Sequence, residues 1–92
     1  MKKSADLCEL ARIKWEPHNY GSTLCQAAHF HVSLATANCD YYELPVPEGI
    51  YAVGMKDEIT IDDQGFVHAP TKPGLGYEVD WDQIDNLTDR VV

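Results

Sequence analysis

The chain has 92 residues, 45% of them hydrophobic, which is enough for one small domain with a thin core and too short for two domains. Its 15 acidic residues outnumber the 7 lysines and arginines, so the formal net charge is −8 at pH 7. This balance argues against nucleic acid and membrane as partners, because nucleic acid and anionic membrane surfaces both require a basic patch.

The sequence shows no pattern that would direct the chain into or across a membrane. The lysines after Met1 are followed by no apolar run of the kind found in signal peptides, and no stretch suits a membrane span. The three cysteines, Cys8, Cys25 and Cys39, are an odd number without short paired spacings. We therefore expect reduced, mostly buried thiols in a cytoplasmic protein.

The first half of the chain is predicted to begin with a helix and a strand. Ser4 is a candidate cap for a short helix that ends near Arg12. Residues 13–16 alternate in the manner of a strand, and Pro17 ends it because proline has no amide hydrogen to donate. The buried face of this helix is predicted to comprise Leu7, Cys8, Leu10 and Ala11.

A second helix and a second strand are predicted to follow. Thr23 and Gln26 match a capping box, and the helical pattern continues to about Thr36. Asn38 suits the left-handed conformation that stops a helix, and residues 40–44 are the next strand candidate. Helix, strand, helix and strand in this order are typical of a parallel sheet with crossover helices. The apolar face of the second helix is predicted to comprise Leu24, Ala27, Ala28, Val32 and Ala35.

The second half is predicted to be antiparallel. Residues 58–62 and 66–69 flank a turn signal at residues 63–65, which favours a hairpin. Residues 75–79 are a further short strand candidate, and Asp82 is a candidate cap for a last half-turn of helix. The acidic residues beyond position 56 are interpreted as a solvated surface, because they lack the spacing of a calcium loop.

Two titratable side chains fall at the ends of predicted strands. His18 follows the first strand, and Glu43 lies at the end of the second. Enzymes built on parallel sheets keep their chemistry at the carboxyl ends of the strands, so the pattern predicts a site that contains both side chains. The alternative for each residue is an ordinary role, as an exposed loop histidine and a surface carboxylate.

An ordered series of short motifs resembles a known family. The series comprises residues 17–22 (PHNYGS), residues 42–45 (YELP), a glycine-flanked hairpin and residues 73–76 (PGLG). It resembles the C-terminal end of the mandelate racemase and muconate lactonizing branch of the enolase superfamily, and it looks most similar to the acid-sugar dehydratases and racemases. The resemblance covers the chain from about Ala5.

The resemblance implies an α/β fold in which the chain is the C-terminal fragment of a (β/α) TIM-type barrel. Residues 1–47 would supply the last two βα units, with the seventh strand at residues 13–16 and the eighth at residues 41–44. Residues 48–92 would return to the capping domain as short antiparallel strands. Two barrel strands alone leave open edges on both sides, so we expect the lone chain to associate or to rearrange.

The resemblance also implies a chemistry. Enzymes of this family, which are lyases and isomerases, abstract a proton alpha to a carboxylate and stabilise the enediolate on a magnesium ion. His18 matches the position of the base, and Glu43 matches a carboxylate that contacts the substrate or the enediolate. Asn19 and Tyr20 would contribute to substrate binding by proximity.

Parts of the family site have no counterpart in this sequence. The three carboxylates that bind the metal, a lysine pair and the aspartate that orients the histidine belong to earlier strands. We therefore expect the lone chain to bind no magnesium and to turn over no substrate. The expected partners are further copies of the chain or a complementing N-terminal portion, and the parent enzyme would act on a small acid sugar.

Two interpretations compete with the enzyme fragment. A non-catalytic module would use its open edges for oligomerisation. A small zinc-binding protein would use Cys25 and His29, which lie four residues apart on one helix face. Its further ligands would come from His18, Cys39 or Asp40.

Overall fold

The computed structural model describes residues 1–89, which form three helices joined by irregular segments. In chain order the helices are α1 (Lys2–Leu10), α2 (Thr23–Leu34) and α3 (Trp81–Leu87). Within the described residues no regular strand forms, and the isolated β-bridge between Met55 and Val79 is antiparallel. The longest helix has 12 residues, and none within residues 1–89 is long and apolar enough to cross a membrane.

Helix α1 ends in a Schellman motif whose left-handed residue is Arg12. The Arg12 amide donates to the Glu9 carbonyl, and the Ile13 amide donates to the Cys8 carbonyl, both at 3.0 Å. Arg12 has a φ of 57° and is the one non-glycine residue with a positive φ in the part of the chain described. This conformation is usually taken by glycine, because a Cβ atom crowds the following carbonyl. The helix therefore ends where the sequence predicts.

The predicted cap and buried face of α1 are wrong. Ser4 lies inside the helix, where its hydroxyl donates to a carbonyl three residues earlier at 2.7 Å. The buried residue of α1 is Ala5, whereas Leu7 is 68% exposed and Leu10 is 82% exposed. The helix is contacted at Ser4 by the buried Trp15 indole. Its Nε1 donates to the Ser4 hydroxyl at 3.1 Å.

The N-cap of α2 is Ser22 and not the predicted Thr23. The Ser22 hydroxyl accepts from an amide of the first turn at 3.5 Å. Thr23 makes a different contact, because its amide and its hydroxyl both donate to the Tyr51 carbonyl, at 3.2 and 3.3 Å. Gln26 still closes the helix start, since its Nε2 donates to the Gly21 carbonyl at 2.7 Å.

The end and the buried face of α2 agree with the sequence only in part. The helix stops at Leu34, just short of the predicted end, and Asn38 does not adopt the left-handed conformation. Ala27 is buried as predicted, but Ala28 and Ala35 are exposed. The apolar residues of α2 are thus a poor guide to its buried face, because three of its five buried residues are polar: Thr23, Gln26 and Ser33.

Phe30 is the large side chain by which α2 enters the core. Its ring packs against Tyr42 with the centroids 4.6 Å apart, and the Tyr42 hydroxyl donates to the Gln26 carbonyl at 2.6 Å. Burial raises the pKa of Tyr42, with smaller contributions from Tyr77 and Cys25. Tyr42 is therefore a neutral anchor between the helix and the segment that follows it.

The two strands predicted for the first half do not form a ladder, although their segments lie side by side. The Trp15 amide donates to the Asn38 carbonyl at 3.1 Å. Further along both segments, the Asn19 amide donates to the Glu43 carboxylate at 2.6 Å. Both contacts advance in the same chain direction, so the segments run parallel as predicted.

Side chains replace the backbone pairing that a barrel would need between these segments. Asn38 Nδ2 donates to the Ile13 carbonyl at 2.6 Å. Asn19 Nδ2 donates to the Glu43 carbonyl at 3.1 Å. Residues 13–16 and 41–44 are therefore parallel irregular segments and not the expected barrel strands, and asparagine side chains bond to one carbonyl in each segment.

The hairpin predicted at residues 58–62 and 66–69 reduces to one tight turn. The Asp62 amide donates to the Phe66 carbonyl at 2.9 Å, and the Gly65 amide donates to the Asp62 carbonyl at 3.0 Å. Ile61 is 48% exposed and Phe66 is 61% exposed. A two-stranded hairpin needs a packed apolar face to persist, and these side chains supply none.

The last segment is held by backbone contacts and a helix cap. The Glu78 carbonyl accepts from the Lys56 amide at 2.9 Å, next to the bridge at Val79. The cap of α3 is Asp80, whose carboxylate accepts from an amide three residues later at 2.9 Å. The predicted cap, Asp82, lies within the helix. Asp80 is the residue just before the first helical residue, Trp81, and it is therefore the one placed to accept from an amide of the first turn that has no partner within the helix.

The structure is more open than a domain of this length usually is. Its radius of gyration is 15.1 Å, whereas a compact chain of this size has about 12 Å. The core is thin, as the length predicts. Its buried hydrophobic residues are Ala5, Trp15, Ala27, Phe30 and Ile59.

Replacing Arg12 by glycine is expected to raise the free energy of unfolding. Relief of the left-handed strain outweighs the extra entropy of an unfolded glycine, for a net gain of about 0.5 kcal/mol. Urea unfolding followed by circular dichroism measures the change. Ala11→Gly is the matched control, because Ala11 has a right-handed φ of −79° and should gain nothing. An R12G variant no more stable than A11G would contradict the assignment.

The turn at residues 62–66 is expected to depend on the ionised Asp62 carboxylate. Hydrogen bonds from the Phe66 amide, His68 and the Gln64 amide lower the pKa of Asp62 below its ordinary value of 3.8. A depressed carboxylate pKa adds stability that is present above the ordinary value and lost as the pH falls through the lowered one. Amide chemical shifts of Gln64 and Phe66 should titrate below pH 3.8, and Asp62→Asn should abolish this titration.

Candidate active site

His18 and Glu43 come together as the strand-end argument predicts. His18 Nδ1 lies 2.8 Å from Glu43 Oε2. The buried Pro17 precedes His18 and directs it away from the core, so that the histidine side chain is 72% exposed. The pair therefore lies at the surface, where the segment before α2 contacts the segment after it.

The Glu43 carboxylate sets the tautomer of the His18 ring. An ionised carboxylate can only accept hydrogen bonds, so the Nδ1 that faces it must carry a proton. In the neutral ring the other nitrogen, Nε2, then has a free lone pair. The geometry thus leaves one nitrogen of His18 able to accept a proton from a bound molecule.

Asn19 lies beneath this pair and not in the cleft. Its side chain is 1% exposed. Its amide and Nδ2 donate to the Glu43 carboxylate and carbonyl at 2.6 and 3.1 Å, and its Oδ1 lies 3.0 Å from His29 Nδ1. Oδ1 and Nδ2 therefore each have a partner within the protein, and the buried side chain does not line the cleft.

Tyr20 forms an aromatic wall beside His18. The two rings stack with centroids 5.5 Å apart and planes 18° apart. Tyr20 is 65% exposed, and its ring meets the edge of Tyr51 at 5.0 Å. Tyr20 flanks His18 but is not among the residues that line the cleft beside it. Sequence reasoning missed Tyr51, since it follows no motif and reaches the site only through the loop contacts of α2.

An open cleft of about 310 Å³ lies over the histidine and the carboxylate. A volume of this order suits a small molecule. The cleft is lined by two carboxylates, a proline and an imidazole ring, those of Glu16, Glu43, Pro17 and His18.

The alternative zinc site is not supported by the described residues. Cys25 Sγ lies 3.7 Å from His29 Nε2, but no group of three or more potential ligands forms within residues 1–89. Two of the suggested further ligands are engaged elsewhere: Cys39 Sγ donates to a carbonyl, and Asp40 pairs with Lys14. A zinc site requires four ligands.

The cysteines are free, as expected, but they are not mostly buried. Cys25 is exposed, and Cys8 and Cys39 are partly exposed.

Comparison with known proteins places the chain in a family. The model of the family described as Enolase C-terminal domain-like matches residues 1–83. A crystal structure from Pseudovibrio sp., of a protein assigned as a mandelate racemase/muconate lactonizing enzyme, is 35% identical with a TM-score of 0.89. The alignment covers 97% of this chain and 24% of that one. Among curated proteins no match was found.

The chain therefore spans about a quarter of the length of that structural relative. The family match nevertheless extends over most of the sequence and includes the whole of α2, His18 and Glu43. On this match and this likeness, the chain belongs to the Enolase C-terminal domain-like family.

Proposed function

We propose that the chain is the C-terminal portion of a magnesium-dependent enolase-superfamily enzyme that removes a proton alpha to a carboxylate. The parent reaction would be that of an acid-sugar dehydratase or racemase, hence a lyase or an isomerase. The family membership supports the reaction class. The acid-sugar substrate rests on the motif resemblance alone.

The contact between His18 and Glu43 carries the proposal. His18 Nε2 would accept the alpha proton, while the electron pair of the broken C–H bond passes to the substrate carboxylate as an enediolate. The Glu43 carboxylate, 2.8 Å from the opposite nitrogen, would stabilise the imidazolium that results. Tyr20, stacked on the ring, would limit its rotation and contact the substrate.

The magnesium ion of the family does not fit the residues described here. Magnesium prefers several oxygen ligands in octahedral geometry. Within residues 1–89 no three potential ligands converge, and one of the two carboxylates that line the cleft, that of Glu43, faces His18. The proposal therefore assigns only the proton transfer to this chain. Metal binding would belong to a complementing N-terminal portion.

The same proposal assigns a place to each part of the chain. Residues 1–47 would adjoin the rest of a barrel, and residues 48–92 would adjoin a capping domain. The free thiols suit a cytoplasmic location. The net charge of −8 gives no reason to expect nucleic acid or membrane as a partner.

A hybrid enzyme tests the proposal. This chain would replace the matching quarter of the Pseudovibrio protein, and deuterium incorporation alpha to the carboxylate would be followed by mass spectrometry with a panel of acid sugars and magnesium. We expect exchange in the hybrid and none in the isolated chain. His18→Asn should lower the exchange rate by about 10² to 10⁴, the usual contribution of a general base.

The matched control is His68→Asn, which makes the same substitution at an exposed histidine outside the cleft. It should leave the exchange rate unchanged. A folded hybrid that fails to exchange with any substrate used by the parent would count against the proposal. Equal exchange rates for H18N and H68N would remove His18 as the base.

An oligomerising module is the second candidate, and the apolar surface favours it. Leu7, Leu10 and Ile13, spaced three residues apart in the chain, are 68%, 82% and 56% exposed. A groove of about 370 Å³ also lies between the end of α2 and the turn at residues 62–66, lined partly by Leu34, Ile61 and Phe66. Large exposed apolar patches are typical of association sites.

Sedimentation velocity distinguishes this candidate. If the apolar surface mediates association, the weight-average mass of the 92-residue chain should rise with concentration across the micromolar range. Leu10→Lys should lower that mass, because it places a charge on the exposed face of α1. Lys3→Glu, a charge change elsewhere on the same helix, is the control. A monomer at all concentrations would exclude the module.

A further inference from the structure

A thiol and an imidazole ring lie side by side on α2, outside the lining of the cleft. Cys25 Sγ is 3.7 Å from His29 Nε2, a contact that residues four apart on a helix can make. Cys25 is exposed, and Gly21 leaves the space next to its sulfur open, since a Cβ atom at Gly21 would lie 3.7 Å from it. Cys25 also belongs to the first turn of α2, where the unpaired amides favour a negative charge.

A buried asparagine side chain fixes the histidine ring on its other side. Asn19 is 1% exposed, and its Nδ2 lies 3.1 Å from the Glu43 carbonyl. A carbonyl can only accept a hydrogen bond, so the amide nitrogen of Asn19 must face Glu43. Its Oδ1 then faces His29 Nδ1, at 3.0 Å. The orientation of the amide therefore follows from its partners.

The contact with Asn19 sets the tautomer of His29. Oδ1 of Asn19 is an acceptor, so the Nδ1 that faces it must carry a proton. In the neutral ring the lone pair is then on Nε2, the nitrogen that lies beside the Cys25 thiol. A nucleophile, a base within its reach and a third group that orients the base are the parts of an activated thiol site.

We propose that Cys25 is a modification site that takes a small disulfide, with His29 as its base and Asn19 as a positioning residue. The Cys25 proton passes to His29 Nε2 as the sulfur attacks one sulfur of the disulfide. A new S–S bond forms to Cys25 and the old one breaks. The departing thiolate keeps the electron pair of the broken bond and takes the proton from His29. A neutral disulfide suits the chain better than an anionic one, because the net charge is −8.

The other two cysteines provide references within the same chain. Cys39 Sγ donates to the Tyr41 carbonyl at 3.5 Å, and a peptide carbonyl is not a base that can remove the thiol proton. Cys8 is partly exposed, like Cys39. The site at Cys25 does not depend on the proposed function, since neither Cys25 nor His29 lines the cleft.

Thiol–disulfide exchange with hydroxyethyl disulfide, a small neutral probe, tests the proposal on the full chain. Acid quenching and peptic digestion, followed by tandem mass spectrometry, give the rate at each cysteine separately. Cys25 should react fastest. His29→Asn should lower its rate by about tenfold, less than a base usually contributes because a thiol is already partly ionised at neutral pH. The rates at Cys8 and Cys39 should not change.

The asparagine variant removes the base and keeps the structural contact. Its side-chain nitrogen can still donate to Asn19 Oδ1, so the buried amide keeps a partner. His31→Asn is the matched control on the same helix, since His31 Nε2 contacts the Leu75 carbonyl and not Cys25. It should leave the Cys25 rate unchanged. An unchanged Cys25 rate in H29N, or an equal fall in H31N, would overturn the proposal.

Histidine side-chain NMR of the wild-type chain gives a second test that needs no variant. Long-range proton–nitrogen spectra, recorded above the pH at which histidine titrates, distinguish a proton on Nδ1 from one on Nε2. His29 should show the Nδ1–H form, which leaves Nε2 free to accept from Cys25. The Nε2–H form would refute the role of His29 as the base.

Discussion

A single carboxylate oxygen, Oε2 of Glu43, joins the two segments on either side of α2. It accepts one hydrogen bond from the buried Asn19 amide and one from His18 Nδ1. In a regular parallel pair the backbone would make this join through evenly spaced bonds. Here the side chain of Glu43 adds to a single backbone hydrogen bond between Trp15 and Asn38, and the oxygen that helps to hold the segments in register also contacts the candidate base. Fold and site share one hydrogen-bond acceptor.

The interior around this contact is as polar as it is hydrophobic. Asn19, Thr23, Gln26, Ser33 and Thr36 are buried beside a small number of apolar side chains. Each of them has a backbone or side-chain partner, for example Gln26 with the Gly21 carbonyl at 2.7 Å. Burial of such groups contributes little net stability, but leaving one unpaired is costly. The buried polar groups therefore contribute little to the stability of the fold, but they favour the one arrangement of the chain in which each of them has a partner.

The sequence predicts what depends on chain order and misses what depends on competing partners. The proximity of His18 and Glu43 follows from two segments that run parallel on either side of a helix, and this survives although the strands themselves do not form. The cap at Ser22 cannot be read from the Thr23–Gln26 pattern, because a distant carbonyl, that of Tyr51, takes the Thr23 donors. In α1 the Ser4 hydroxyl likewise accepts from the Trp15 indole, a contact with a residue beyond the helix that helical periodicity does not reveal.

The exposure of the His18 ring limits what it can do in this chain alone. At 72% exposure its contact with Glu43 is screened by water, where a pair of opposite charges gains little. The same 2.8 Å contact becomes much stronger once water is excluded, since the local dielectric falls and the imidazolium has no other solvation. Under the proposed function, a histidine that abstracts a proton in this position would be strengthened by a segment that covers the cleft and excludes water. The contact with Glu43 would hold the proton on Nδ1, and the driving force for the proton transfer would depend on that cover.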